Sequence, residues 1–222
     1  MLRAIAHSKD RTIKLADFKP AGSKEIYLNF RELYQDIEDF FTAAIFSRLC
    51  YLEGKIWQEI FNIEFGELKS REFWVRWDYE GSYIEPDVFI RFEKCDVIIE
   101  AKRYDGAGQY EQQLYGEIEA YQQNYPNNKN FYLFTVGGGG KKLVFQEKYK
   151  DKIKSFDWQE IFEKVKVLSI NQQIKEDLLI AFDLHGIREK LFLGDLTKPN
   201  LSCYRIDNFE KSISLISGGL FS

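Results

Sequence analysis

The stretch "IEPDVFIRFEKCDVIIEAKRYDG", residues 84–106, decides how this chain is read. "DVFIRF" (87–92) and "DVIIEAKR" (96–103) are two strand-like runs separated by Glu93-Lys94. Side chains alternate across a strand, so Glu100 and Lys102 project together with Ile98, while Val97, Ile99 and Ala101 face the other way. If the runs fold back as a hairpin with Phe92 opposite Cys95, Asp87 falls opposite Glu100. Directly opposed residues point to the same side, with Cβ atoms roughly 5 Å apart. A one-residue slip would lose that juxtaposition. Glu93-Lys94 is not a favoured two-residue turn, so the spacing allows this register without imposing it.

Two carboxylates that close in a partly buried site repel each other unless a proton or a cation intervenes. Oxygen-only ligation suits Mg²⁺ or Mn²⁺ better than Zn²⁺. Lys102, beside such an ion, would orient a water and stabilise a pentacoordinate phosphorane. The bland reading makes Asp87 the end of a turn after Pro86, and Glu100 with Lys102 a surface pair. Glu100 and Lys102 interrupt an apolar run rather than follow it, which favours the metal site.

Outward from this hairpin, "FRELYQDIEDFFTAAIFSRLCYL" (30–52) has apolar residues at helical spacing. "REFWVRW" (71–77) reads as a strand before the hairpin. A helix is expected over 108–124 and a strand at "FYLFTV" (131–136), with "KLVFQE" (142–147) as a fifth strand. "DWQEIFEKVKVL" (157–168) and "NQQIKEDLLIAFDLHGI" (171–187) read as amphipathic helices with Asp157 and Asn171 as N-caps. The order helix, three strands, helix, strand predicts an α/β layer fold with a mixed central sheet. The expected organisation is one domain: an N-terminal arm (1–29), a core (30–150) and a C-terminal helical extension (151–222).

Composition narrows the function classes. The 222 residues suit one well-cored domain, and 45% hydrophobic with 30% charged residues is ordinary globular usage. A net charge of −4 lacks the basic signature of a protein that grips duplex DNA unaided. Either basic residues are concentrated locally or a partner subunit supplies the grip. Cys50, Cys95 and Cys203 fit neither a disulfide framework nor a zinc knuckle. With no apolar leader and no membrane-length segment, the expected address is the cytoplasm. "TVGGGGKK" (135–142) lacks the hydroxyl residue and following helix of a phosphate loop. It reads as a turn after a strand, with Lys141 and Lys142 as candidate contacts to a phosphate backbone.

Pro86-Asp87, twelve residues, then Glu100-Ala101-Lys102 on a hairpin flanked by helices resembles the PD-(D/E)xK nuclease superfamily, in particular its prokaryotic defence-associated branch. The resemblance covers about residues 30–136. It implies a restriction-endonuclease-like core, Mg²⁺ (or Mn²⁺) held by Asp87, Glu100 and the Ala101 carbonyl, and Lys102 assisting the attacking water. Family members often add a Glu from the first helix; Glu38, at the border of that helix's apolar stripe, fits. They also often place a Gln on the second helix toward the scissile phosphate; Gln113 fits best and Gln109 is the runner-up, though either could be a polar helix edge. The resemblance implies DNA as substrate, a homodimer, and a role in restriction or defence against phage. The alternatives are RNA as substrate, or a non-cleaving subunit that keeps the nuclease fold within a larger complex.

Overall fold

The computed structural model describes residues 38–103, 108–138 and 144–189, with the backbone of two short strands, β1 (Thr12–Lys14) and β2 (Tyr27–Asn29), that pair antiparallel. The chain divides into two compact units, residues 1–188 and 189–222. After β1 and β2, the first unit contains α1 (Glu38–Leu49), α2 (Gly54–Phe61), β3 (Leu68–Phe73), β4 (Trp77–Tyr79), β5 (Ser82–Ile84), β6 (Val88–Phe92) and β7 (Asp96–Ala101). Then come α3 (Glu111–Asn124), β8 (Phe131–Val136), α4 (Glu147–Lys150), β9 (Ile153–Phe156), α5 (Trp158–Val167) and α6 (Gln172–Leu184).

Five strands form one mixed sheet in the order β3-β6-β7-β8-β9. The β3/β6 and β6/β7 pairs are antiparallel, while β7/β8 and β8/β9 are parallel. Strand β7 is buried at every position, because helices cover both faces of the sheet. On one face Val97, Ile99 and Ala101 pack with Phe41, Phe46, Trp57, Trp158 and Phe182, which come from α1, α2, α5 and α6. On the other, Phe89 and Ile98 pack against Leu114, Ile118 and Tyr121 of α3 and Trp77 of β4. The alternation of the strand is thus divided between two cores, each side chain falling on the face its parity demands. Helices α5 and α6 start at the expected caps: Asp157 and Glu160 close a capping box, and Asn171 accepts from the N–H groups of Gln173 and Ile174.

Two strand readings need correction, and one helix is new. "REFWVRW" is not one strand: β3 ends at Phe73, Trp74 takes φ 51°, and β4 begins at Trp77. β4 and β5 form a separate hairpin whose turn residues Glu80 and Gly81 both have positive φ, the signature of a type I′ turn. "KLVFQE" is not the fifth strand. Residues 144–146 are irregular and Glu147 opens α4, while the fifth strand is β9, a few residues later. Helix α2 was not anticipated. Only eight residues long, it buries Ile56, Trp57, Ile60 and Phe61, and the Trp57 Nε1–H donates to the Leu49 carbonyl at 3.0 Å. No helix among the described residues is long and apolar enough to cross a membrane.

Candidate active site

The hairpin takes the anticipated register. Phe92 N–H donates to the Cys95 carbonyl, and Val88 pairs with Ile99. One step further along the same ladder, Asp87 stands opposite Glu100, and its Oδ2 accepts the Ala101 N–H at 2.8 Å. Glu100 follows Ile98 onto the α3 face, where it is 2% exposed.

Lys102 lies just past the end of β7, and its backbone is held on both sides. Its N–H donates to the Val136 carbonyl, and its own carbonyl accepts the Trp158 Nε1–H at 2.7 Å. Gly137, with φ 74°, lets this happen: a Cβ there would lie 2.0 Å from the Lys102 carbonyl oxygen. The ammonium then bridges two carboxylates, reaching Glu100 Oε1 at 2.5 Å and Glu38 Oε1 at 3.3 Å. Glu38 Oε2 accepts the Arg103 N–H at 2.7 Å, which ties the start of α1 to the end of β7.

From α3, one amide serves two acids. Gln113 Nε2 donates to Glu100 Oε1 at 2.7 Å and to Glu117 Oε1 at 3.2 Å. Gln109 differs from its expected role. It is buried, and its amide donates to the Glu100 carbonyl at 3.2 Å, so it braces the strand end rather than presenting itself to a substrate. Lys141 and Lys142 lie outside the described residues.

Glu117 is the residue that sequence reasoning missed. It is 1% exposed, and its Oε2 has no hydrogen-bond partner. A signal was present, since it lies three residues after Leu114 and one before Ile118, both in the apolar stripe. In sequence it continues the four-residue steps of Gln109 and Gln113 along one helix edge, and such an edge reads as polar.

Burial, with the charges of Glu100 and Asp87, pushes Glu117 well above the ordinary carboxylate range. Burial also leads for Asp87; with the negative charges of Glu100 and Glu38 it overrides the Ala101 N–H and Lys102 and raises the group to about 7. At Lys102 burial acts to lower the pKa, but Glu100, then Glu38 and Asp87, outweigh it, and the ammonium is held more firmly than in water. Asp96, at the opposite end of β7, provides a contrast. It too is buried, but Tyr121 Oη–H and Asn128 Nδ2–H donate to its Oδ2 at 2.8 and 2.7 Å.

Glu38, Asp87 and Glu100 do not already surround a single point: among the described residues no three acidic, His or Cys side chains are grouped as ligands for one ion. Glu38 and Glu100 meet at the Lys102 ammonium instead. The donor set nonetheless suits a hard divalent cation. With Glu117 beside them its side-chain acids are four carboxylates, and Glu117 Oε2 has no donor. Two of the four are driven toward protonation by burial and their neighbours' charge.

No protein-family model matches the chain. Among solved structures it is similar to protein VC1899 from Vibrio cholerae, at 14% identity and TM-score 0.37, over 84% of this chain and 52% of that one. The chain thus spans about half the length of that protein. It is also similar to the small subunit (R.BspD6I2) of the heterodimeric restriction endonuclease R.BspD6I, at 15% identity and TM-score 0.30, over 84% of this chain and 100% of that one. At TM-scores this low neither likeness bears on function. In sequence the chain is 32% identical, over 224 aligned positions, to uncharacterized protein PM0110 of Pasteurella multocida (strain Pm70), covering 86% of this chain and 82% of that protein. The chain therefore belongs to the same family as PM0110.

Proposed function

We propose that this chain is a divalent-metal-dependent nuclease of the PD-(D/E)xK type that hydrolyses phosphodiester bonds, with DNA as the substrate. One observation carries the reading. Asp87, Glu100, Lys102 and Glu38, from three separate elements, come together at one end of the β6–β7 hairpin, with Gln113 reaching in from α3. Asp87, Glu100, Glu38 and the Ala101 carbonyl would hold Mg²⁺ or Mn²⁺. The bound ion would acidify a water and offset charge on the scissile phosphate.

The remaining work falls to the protein's own groups. Lys102 is anchored at both backbone atoms and its ammonium is aimed by Glu100 and Glu38, which leaves its third hydrogen for a nucleophilic water or a non-bridging oxygen. Gln113 steadies Glu100, and to reach a phosphate its amide would give up the longer of its two bonds, the one to Glu117. Asp87 is oriented by the Ala101 N–H. A cytoplasmic role in restriction or phage defence, and action as a homodimer, accompany this reading.

A second reading is favoured by the same ammonium. With Lys102 bound to both Glu38 and Glu100, the cluster also works as a closed ion-pair network in a binding or assembly subunit that does not cleave. The experiment is cleavage of plasmid, single-stranded DNA and RNA in Mg²⁺ or Mn²⁺ by wild type and Lys102→Ala. Cleavage by wild type alone supports the nuclease and identifies the polymer. Cleavage that persists in the variant rejects this site. No cleavage by wild type, alone or with added partner proteins, supports the assembly reading.

A further inference from the structure

Glu117 has no part in the site as the sequence outlined it, yet it is the most conspicuous group near it. A carboxylate 1% exposed normally has every oxygen satisfied, and the buried Asp96 shows how, with two donors on one of its oxygens. Glu117 has one amide hydrogen bond, from a Gln113 nitrogen that it shares with Glu100, and a second oxygen with no donor. Lys102 does not relieve it, because its ammonium is directed to Glu100 and Glu38. Left ionised in that state, Glu117 is strongly disfavoured, and it is relieved either by a proton shared toward Glu100 or by a compact, oxygen-seeking cation.

The surroundings fit such a ligand. Glu117 lies at the inner wall of a cleft of about 580 Å³ between α3 and the β4–β5 hairpin, lined also by Tyr79, Ile84, Glu85, Gln113 and Glu119. A Cβ at Gly116, the neighbouring position on α3, would stand 3.1 Å from Ile84 Cδ1, so helix and hairpin are pressed together at this level. Of the three carboxylates in its lining, Glu85 is paired with Arg76 and Glu119 with Lys148, which leaves Glu117 as the one without a cationic partner among the described residues.

We propose that Glu117 is a fourth carboxylate of the centre, and that Glu100 and Glu117 together take a divalent cation that enters from the cleft on the α3 side. This position is separate from the one formed by Asp87 and Glu38. Glu100 stands between the two, shared by both. The proposal rests on the metal-dependent reading above and adds to it a second ion and the residue that holds it.

The test is direct Mn²⁺ binding, followed by electron paramagnetic resonance of the free ion, on wild type, Glu117→Gln and Asp87→Asn. Thermal unfolding in EDTA accompanies it. Wild type should bind two Mn²⁺ per chain. Glu117→Gln should lose one of them, or bind it at least about tenfold more weakly, and Asp87→Asn should keep that ion. Without metal, Glu117→Gln should melt no lower than wild type, because a neutral amide replaces a carboxyl that the fold must either strip of water as a charge or hold protonated. An unchanged Mn²⁺ isotherm in Glu117→Gln, no uptake by wild type, or a Glu117→Gln protein that fails to fold each overturn the proposal. Nucleic-acid cleavage by wild type separates the two ideas. Cleavage with an unchanged Glu117→Gln isotherm removes only the second ion; Glu117-dependent Mn²⁺ uptake without cleavage removes only the nuclease.

Discussion

Lys102→Met tests the electrostatic core of the site. The substitution keeps the length and packing of the side chain and deletes the ammonium that bridges Glu100 and Glu38. Glu100 is 2% exposed and then lacks a positive partner, while Lys102 itself is 17% exposed. Removing one member of a buried pair costs about 3–5 kcal/mol. Two features place this case near the lower end: Gln113 still donates to Glu100, and Lys102 retains some solvent contact. A loss of about 3 kcal/mol corresponds, for a domain of this size, to a fall in Tm of roughly 6–12 °C. The double variant Lys102→Met/Glu100→Gln should recover most of that loss, since no buried charge is stranded. Urea denaturation of wild type, both single variants and the double variant in EDTA closes the cycle, with an expected coupling of about 2–3 kcal/mol. Saturating Mn²⁺, at about a hundredfold excess over its Kd, should return about 2.7 kcal/mol to Lys102→Met. If the two single changes are additive, or Lys102→Met is as stable as wild type, the ammonium does not neutralise Glu100 and the account of the site is wrong.

Two further outcomes rest on the same geometry. Asp87 is raised from 3.8 to about 7, so its proton is bound more tightly in the native state than in the unfolded chain. The stability this lends is complete below the unfolded value and is lost as pH rises through the folded one. Metal-free wild type should therefore lose stability relative to Asp87→Asn between about pH 4 and pH 7, by at most about 4 kcal/mol; denaturation at several pH values checks this, and a gap independent of pH contradicts it. Gly137→Ala puts a methyl 2.0 Å from the Lys102 carbonyl at a residue with φ 74°. It should cost about 3 kcal/mol or more and lower cleavage with it, measured as Tm and turnover; a variant as stable as wild type would show that the strand end readily moves aside.

Much of this grouping is legible in the sequence. The β6–β7 register agrees with the alternation of Val97, Ile98, Ile99, Glu100 and Ala101, because a slip by one residue would exchange the side chains that each core receives. Asp87, Glu100 and Lys102 come with that parity. Glu38 was legible from its place on the border of a helical stripe, and the caps Asp157 and Asn171 from side chains that satisfy N–H groups two or three residues away. These are local signals, set by the period of a strand, the period of a helix and the reach of a short side chain.

What tertiary structure alone decided is which surfaces are covered. Glu117 and Gln113 sit on one edge of α3 with the same sequence signature, yet Gln113 is exposed and Glu117 is sealed. At the level of Glu117 the β4–β5 hairpin packs on α3 at Gly116 through Ile84, a residue far from it in sequence, and Glu100 and Asp87 lie close on the sheet side. In the same way Gln109 became a strand-end brace, and the fifth strand moved from 142–147 to Ile153–Phe156. Periodicity tells which residues share a face. Whether that face meets water or protein is settled by a segment that arrives from elsewhere in the chain, and for a carboxylate that choice separates a solvated edge from a candidate ligand.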